Sequence, residues 1–210
     1  VQLLSGKLYN KFSTKWTYLV LFGIFELGSL ICGVATSSRM LIVGRAVAGM
    51  GGAGLINGAM TIIGTTVPLH KQPALIGVLM GIAEMGVVCG PLVGGAFTTK
   101  ASWRWCFYIN LPVGAVVALY LLFVPIPEQM DKPAPFKVLA DGIHELDLFG
   151  FVLFSGAAIQ LLLALQYGGT EYSWDSSIVI GLFCGAVVTF IVWILWNRRR
   201  GDDGLVPTSM

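Results

Sequence analysis

Three ionisable side chains stand inside apolar runs of this 210-residue chain: Glu26, Arg45 and Glu84. A charge at the centre of a bilayer costs roughly 2.5–3.5 kcal/mol on insertion scales, so each is a functional candidate by default. Glu26 and Glu84 lie about ten residues into their runs, or about 15 Å deep at ~1.5 Å per residue. Arg45 lies about five residues into its run, about 8 Å deep, where its stem can snorkel to an interface. Desolvation favours the neutral form of a carboxyl, and a nearby guanidinium favours the charged form. A carboxyl balanced between the two could load and release a proton near neutral pH. The competing reading of either glutamate is a protonated carboxyl hydrogen-bonded to a neighbouring helix.

Other chemistry finds no support. Gly49-Met-Gly51-Gly-Ala-Gly54 matches the GxGxxG pattern of dinucleotide sites. That chemistry needs a preceding strand and an acid about 20 residues on. This segment sits inside an apolar run with no acid near position 74, so helix packing is the reading. His70 and His144 have no second ligand nearby, and Cys32, Cys89, Cys106 and Cys184 lie in apolar runs without ligand spacing. No HExxH, CxxC, GxSxG or phosphate-binding loop occurs. The expectation is no enzyme, no metal and no cofactor. A net charge of +2 gives no reason to expect a nucleic-acid partner.

The elements that carry these residues follow from composition. The chain is 56% hydrophobic and 11% charged, with 27 glycines. A soluble domain carries about a quarter charged residues, and disorder needs still less apolar content. The chain is therefore expected to be an all-α polytopic membrane protein, its glycines letting helices approach closely. A span needs about 20 apolar residues. Six runs qualify, at about 16–37, 40–67, 74–97, 105–124, 148–167 and 177–196.

Lysine and arginine excess marks the cytoplasmic side. One side collects Lys7, Lys11, Lys15, Lys71, Lys132, Lys137, Arg198, Arg199 and Arg200, against Arg39, Lys100 and Arg104 on the other. The loops 6–15, 68–73 and 125–147 and the tail 197–210 are accordingly expected to be cytoplasmic. In 125–147, Phe136, Leu139, Ile143 and Leu146 recur at helical spacing, which predicts a short amphipathic surface helix. Asp147 reads as a helix N-cap. Glu171 and Asp175 read as solvated loop residues.

The third run holds Gly77, Gly81, Gly86, Gly90, Pro91, Gly94 and Gly95. Gly86, Gly90 and Gly94 form one flat stripe suited to close helix approach, and Pro91 is expected to kink the helix. Gly77-x8-Gly86-x3-Gly90-Pro91-x2-Gly94-Gly95 resembles the fifth-helix antiporter motif of the major facilitator superfamily. The stretch Gly6-Lys-Leu-Tyr-Asn10-Lys11-Phe-Ser-Thr-Lys15 resembles that family's loop signature between helices 2 and 3. Arg45-x3-Gly49-x-Gly51 resembles its fourth-helix arginine motif. FELGSLICG at 25–33 and WRWCFYINLPVG at 103–114 resemble the 14-span fungal drug:proton antiporters, mycotoxin efflux pumps among them. The family's loop motif usually has an acid where Asn10 stands; Asn10 can hydrogen-bond but cannot form a charge pair.

The resemblance covers the whole chain and implies an internal fragment of the family fold, with about six complete spans, helices 3–8. It implies the end of helix 2 through helix 6 at 1–124, the loop at 125–147, two extra linking spans at 148–196 and a loop at 197–210. It also implies proton-coupled export of small hydrophobic compounds. Arg45 would tune a proton-carrying carboxylate, Glu26 or Glu84. Lys11 and Lys15 would touch a partner helix or lipid phosphates, or only set topology. The implied partners are protons, a small hydrophobic substrate and the bilayer, in a protein monomeric at full length. The plasma membrane is the expected location, with the vacuolar membrane as the alternative. The competing functions are a truncated, non-transporting helical fragment and an uptake facilitator of the same family.

Overall fold

The structure is a computed structural model that describes residues 2–124, 126 and 147–201, with the side chains of Leu3, Asn10 and Lys11 outside that description. The surface helix expected around 136–146 lies outside the described residues. The chain divides into two compact units, Val1–Pro135 and Phe136–Met210.

The first unit holds α1 (Gln2–Lys11), α2 (Thr14–Gly33), α3 (Ser38–Thr66), α4 (Gln72–Lys100), α5 (Trp105–Tyr108) and α6 (Asn110–Phe123). The second holds α7 (Leu148–Tyr167) and α8 (Ser177–Arg200). Among the described residues six segments are long and apolar enough to cross a membrane: α2, α3, α4, Trp105–Phe123, α7 and α8. These are the six runs read from the sequence, with ends moved by a few residues.

Local chemistry explains several helix ends. Ser37 and Ser176 cap α3 and α8 by accepting from the amides of Met40 and Val179, at 3.3 Å each. Gln72-Pro73 opens α4, where a missing amide proton is harmless. The helix then runs through Pro91 to Lys100 without a break. Pro112 has the opposite effect: it offers no N–H to the carbonyl of Tyr108, and the span is interrupted at Ile109. Gly201, at φ +61, stops α8 after Arg198, Arg199 and Arg200, whose charges suit the negative end of the helix.

The tightest packing lies between α2 and α3, and its agent is glycine. A Cβ at Gly44 would strike Cys32, at Gly51 the backbone of Phe25 and Leu21, at Gly54 the Leu21 side chain, and at Gly58 Tyr9 and Tyr18. Gly28 answers from α2, where a Cβ would meet the backbone of Ala48. Gly44, Gly51 and Gly58 recur every seven residues, the repeat that keeps one seam facing a partner helix. The GxGxxG segment is thus part of a helix–helix contact through Gly51 and Gly54. Gly49, between them in sequence, faces open space. At the other end of the seam, Tyr9 of α1 donates to the carbonyl of Gly54 at 3.1 Å. Asn57 donates to the Gln2 carbonyl (2.6 Å) and the Ser5 hydroxyl (2.7 Å).

In the second unit α7 and α8 form an antiparallel hairpin. Asp147 is buried and caps α7: its Oδ1 accepts from the Gly150 amide and from the Trp196 indole N–H, both at 3.0 Å. Phe149 lies against Trp196 and Phe154 against Trp193, with ring centroids 4.6 and 5.0 Å apart. One aspartate therefore both starts α7 and fastens it to α8. Glu171 and Asp175 are exposed in the turn between these helices.

Two stability predictions follow from this packing. Gly49→Ala gains helix propensity with no clash and stabilises the protein in detergent by up to about 1 kcal/mol, read as a higher thermal unfolding midpoint. Gly51→Ala, two residues on, destabilises it by about 1–3 kcal/mol through overpacking and lowers the midpoint. Equal shifts of one sign from both would contradict the seam. Asp147→Ala destabilises by about 1–3 kcal/mol, loss of a cap plus a buried hydrogen bond. Asp147→Asn, which keeps the accepting oxygen, costs less; tryptophan emission during unfolding reports both.

Candidate functional site

The site is built from α2 upward. One face of α2 is fixed to α3 by the glycine seam. A second meets α5 and α6 along a polar line. Near the start of α2, Lys15 Nζ donates to the carbonyls of Leu122 (2.8 Å) and Val124 (2.9 Å). These carbonyls have no partner further along the α6 helix, and a cation there also meets the negative end of the helix dipole. Further along, the Glu26 carboxyl fills the space left by Gly114; a Cβ at Gly114 would overlap it. Next, Asn110 Nδ2 donates to Ser29 Oγ at 3.3 Å. Tyr108 then lies where a Cβ on Gly33 would be. At the far end, Arg104 Nη2 donates to the Ala35 carbonyl at 2.9 Å, with its guanidinium 5.2 Å from the Trp103 ring. Each step up α2 is matched by a similar step down α5 and α6, so the contacts form one antiparallel register.

Glu26 is the residue in this line whose polar capacity is not met. Its Oε2 is buried and accepts no hydrogen bond. The helix-to-helix hydrogen bond considered for this carboxyl is therefore absent at that oxygen. A buried acceptor left bare costs about 1–3 kcal/mol, and more if charged.

The other candidates are placed differently. Arg45 is exposed on α3, and among the described residues no ion pair joins it to Glu26 or Glu84. Glu84 is exposed on α4, a helix that buries none of its residues and leans on α3 and α5. Gly77, Gly86, Gly90 and Gly95 have no atom within 4 Å of where a Cβ would sit, and Gly94 has only the Cys106 sulfur at 3.9 Å. Among the described residues the antiporter-like stripe, Pro91 included, is thus an open face, while the glycines of α3 are closely approached. Gly6 also faces open space. Asn10 and Lys11 fall within α1, with side chains outside the described part.

Sequence reasoning counted Arg104 only as an outer-side charge, and met Ser29, Asn110 and Gly114 only within the two stretches that resemble the 14-span antiporters, with no role for any of them. The available signal was faint: a lone asparagine near the start of an apolar run, and a glycine four residues after it. It singled out Lys15, but not its role as a clasp on α6.

Comparison with known proteins agrees along the whole chain. The family model of the Major Facilitator Superfamily matches residues 1–206. The MFS-type transporter pigP of Monascus ruber is 62% identical over 207 residues, covering 99% of this chain and 36% of that protein. The MFS-type transporter calB of Penicillium decumbens is 63% identical over 211 residues, 100% of this chain and 38% of that protein. The efflux pump mlcE of Penicillium citrinum is 51% identical over 218 residues, 100% of this chain and 39% of that protein. The chain thus spans less than two fifths of the length of each of these relatives. With six helices fit to cross a bilayer and a family match over nearly its whole length, this multi-pass membrane chain belongs to the major facilitator superfamily.

Proposed function

We propose that this chain is part of a proton-coupled antiporter that exports small hydrophobic compounds, with Glu26 as its proton-carrying group. The carrying observation is the Glu26 carboxyl, buried at one oxygen, without a hydrogen bond there, and lodged against Gly114 about midway along two spans. A group so placed gains most from proton loading, and a small shift of α6 relative to α2 would change its solvation. The outward direction rests on relatives named as efflux pumps, those of Penicillium citrinum and Aspergillus parasiticus among them. The expected setting is the plasma membrane, with the protein acting as a monomer and its lysine- and arginine-rich loops cytoplasmic.

Arg45 and Glu84 take secondary parts in this reading. Both are exposed on α3 and α4, so they are free to meet groups from the remainder of a full-length transporter. The open glycine face of α4 is suited to the same purpose, a surface on which a further helix can slide closely. In alternating access, one half rocks against the other around a midplane site.

Two measurements test the proposal in the full-length transporter. Glu26→Gln is expected to abolish proton-gradient-driven efflux of a fluorescent hydrophobic substrate while leaving substrate binding within about twofold. Gly114→Ala, which crowds the carboxyl, is expected to do the same in part. Gradient-driven export that survives Glu26→Gln removes this residue from proton coupling. Gly90→Val on the open face of α4 is expected to lower coupled export at least about tenfold, with unchanged expression, as overpacking does at a close helix contact. Full export by that variant excludes the face as a moving contact.

A further inference from the structure

The α7–α8 hairpin has a feature the transport reading does not use. A groove of about 380 Å³ runs between the two helices, lined among others by Phe154, Ala158 and Leu161 of α7 and Val187 and Ile191 of α8. Its lining is apolar, as a surface facing lipid should be. The α8 side of the groove then leads to charge. Val187 and Ile191 are four apart, and Arg198 follows seven residues later, which returns to the same face of the helix about 10 Å beyond Ile191. Arg198 and Arg199 are exposed, while Arg200 lies over the Trp196 ring at 5.6 Å. Among the described residues no carboxylate pairs with any of the three. Asp202 and Asp203 follow in the sequence, outside the described residues.

We propose that this groove binds an anionic glycerophospholipid, one acyl chain between α7 and α8 and the headgroup phosphate on Arg198 and Arg199. The combination is what selects this occupant. An apolar groove alone would take any hydrocarbon. Unpaired cations alone would attract any anionic surface. A groove about 10 Å from Arg198 on the same helix face, with Arg199 beside it, matches the span from headgroup to mid-chain. Arginine suits the phosphate because its planar fork can donate two parallel hydrogen bonds. The inference is independent of proton coupling and rests on the orientation proposed from the basic loops, which places these arginines at the anionic leaflet.

The test is native mass spectrometry of the full-length protein released from nanodiscs of equal phosphatidylserine and phosphatidylcholine. The wild type is expected to retain phosphatidylserine in preference. Arg198→Gln and Arg199→Gln should each lower that retention about fivefold. Val187→Trp, which fills the groove from an exposed position, should abolish it with all the arginines intact. Leu161→Trp, on the facing helix, replaces that variant if it does not fold. Three outcomes overturn the proposal. Loss with the arginine variants but not with groove filling means attraction to the surface only. Equal retention of both lipids means no charge selection. No retained lipid, with Val187→Cys forming a disulfide to a cysteine placed in another helix, means that protein covers the groove.

Discussion

Gly51 determines how near α2 and α3 can come, and the surroundings of Glu26 depend on that approach. Lipid tails are as apolar as leucine, so burying leucine between helices gains little in a bilayer. What remains is dispersion between closely spaced backbones and hydrogen bonds that lipid cannot supply. The seam of Gly28, Gly44, Gly51, Gly54 and Gly58 provides the first. Because most of these contacts involve backbone or short side chains, little in them can give way by a change of rotamer. Helix α2 is held nearly rigid along one face, and its other face is aimed at α5 and α6.

That second face uses the opposite device. Lys15 and Arg104 clasp the two ends through main-chain carbonyls, and Ser29 and Asn110 bridge an inner position. Carbonyls beyond a helix end have no partner of their own, and in an apolar medium a charged donor to them is worth more than in water. With both ends clasped, Gly114 has nowhere to go but against Glu26. The bare Oε2 is then a consequence of register: a carboxyl sits at a level where the facing helix offers only a glycine. The polar cost at Glu26 is tolerated because the rest of the line holds.

The span positions were legible in the sequence because a bilayer imposes a length and an apolar composition, and both can be read residue by residue. The cap role of Asp147 was legible for a similar reason: it needs only an acceptor placed before an apolar run. The line along α2, α5 and α6 was not. Its pairs are separated by about 70 to 110 positions, and nothing local states which helix faces which, or at what level. Lys15 illustrates the gap. Its charge announced a side of the membrane, while its action as a clasp on Leu122 and Val124 required the fold.

The glycines carry the same lesson further. Small residues spaced along one face tell that a helix can be approached closely; they do not name the approaching helix. Two spans here have such faces. That of α3 is filled by α2, so its glycines act within the unit. That of α4 is open among the described residues, although its pattern is the stronger of the two. A face shaped for contact but not used for packing within the unit is the arrangement a moving interface needs. A permanently filled seam cannot slide, whereas an unfilled one can exchange partners at little cost in buried contacts. In the proposed transport cycle the packed α2–α3 pair keeps Glu26 at a fixed level, and the open face of α4 is the surface on which relative motion occurs.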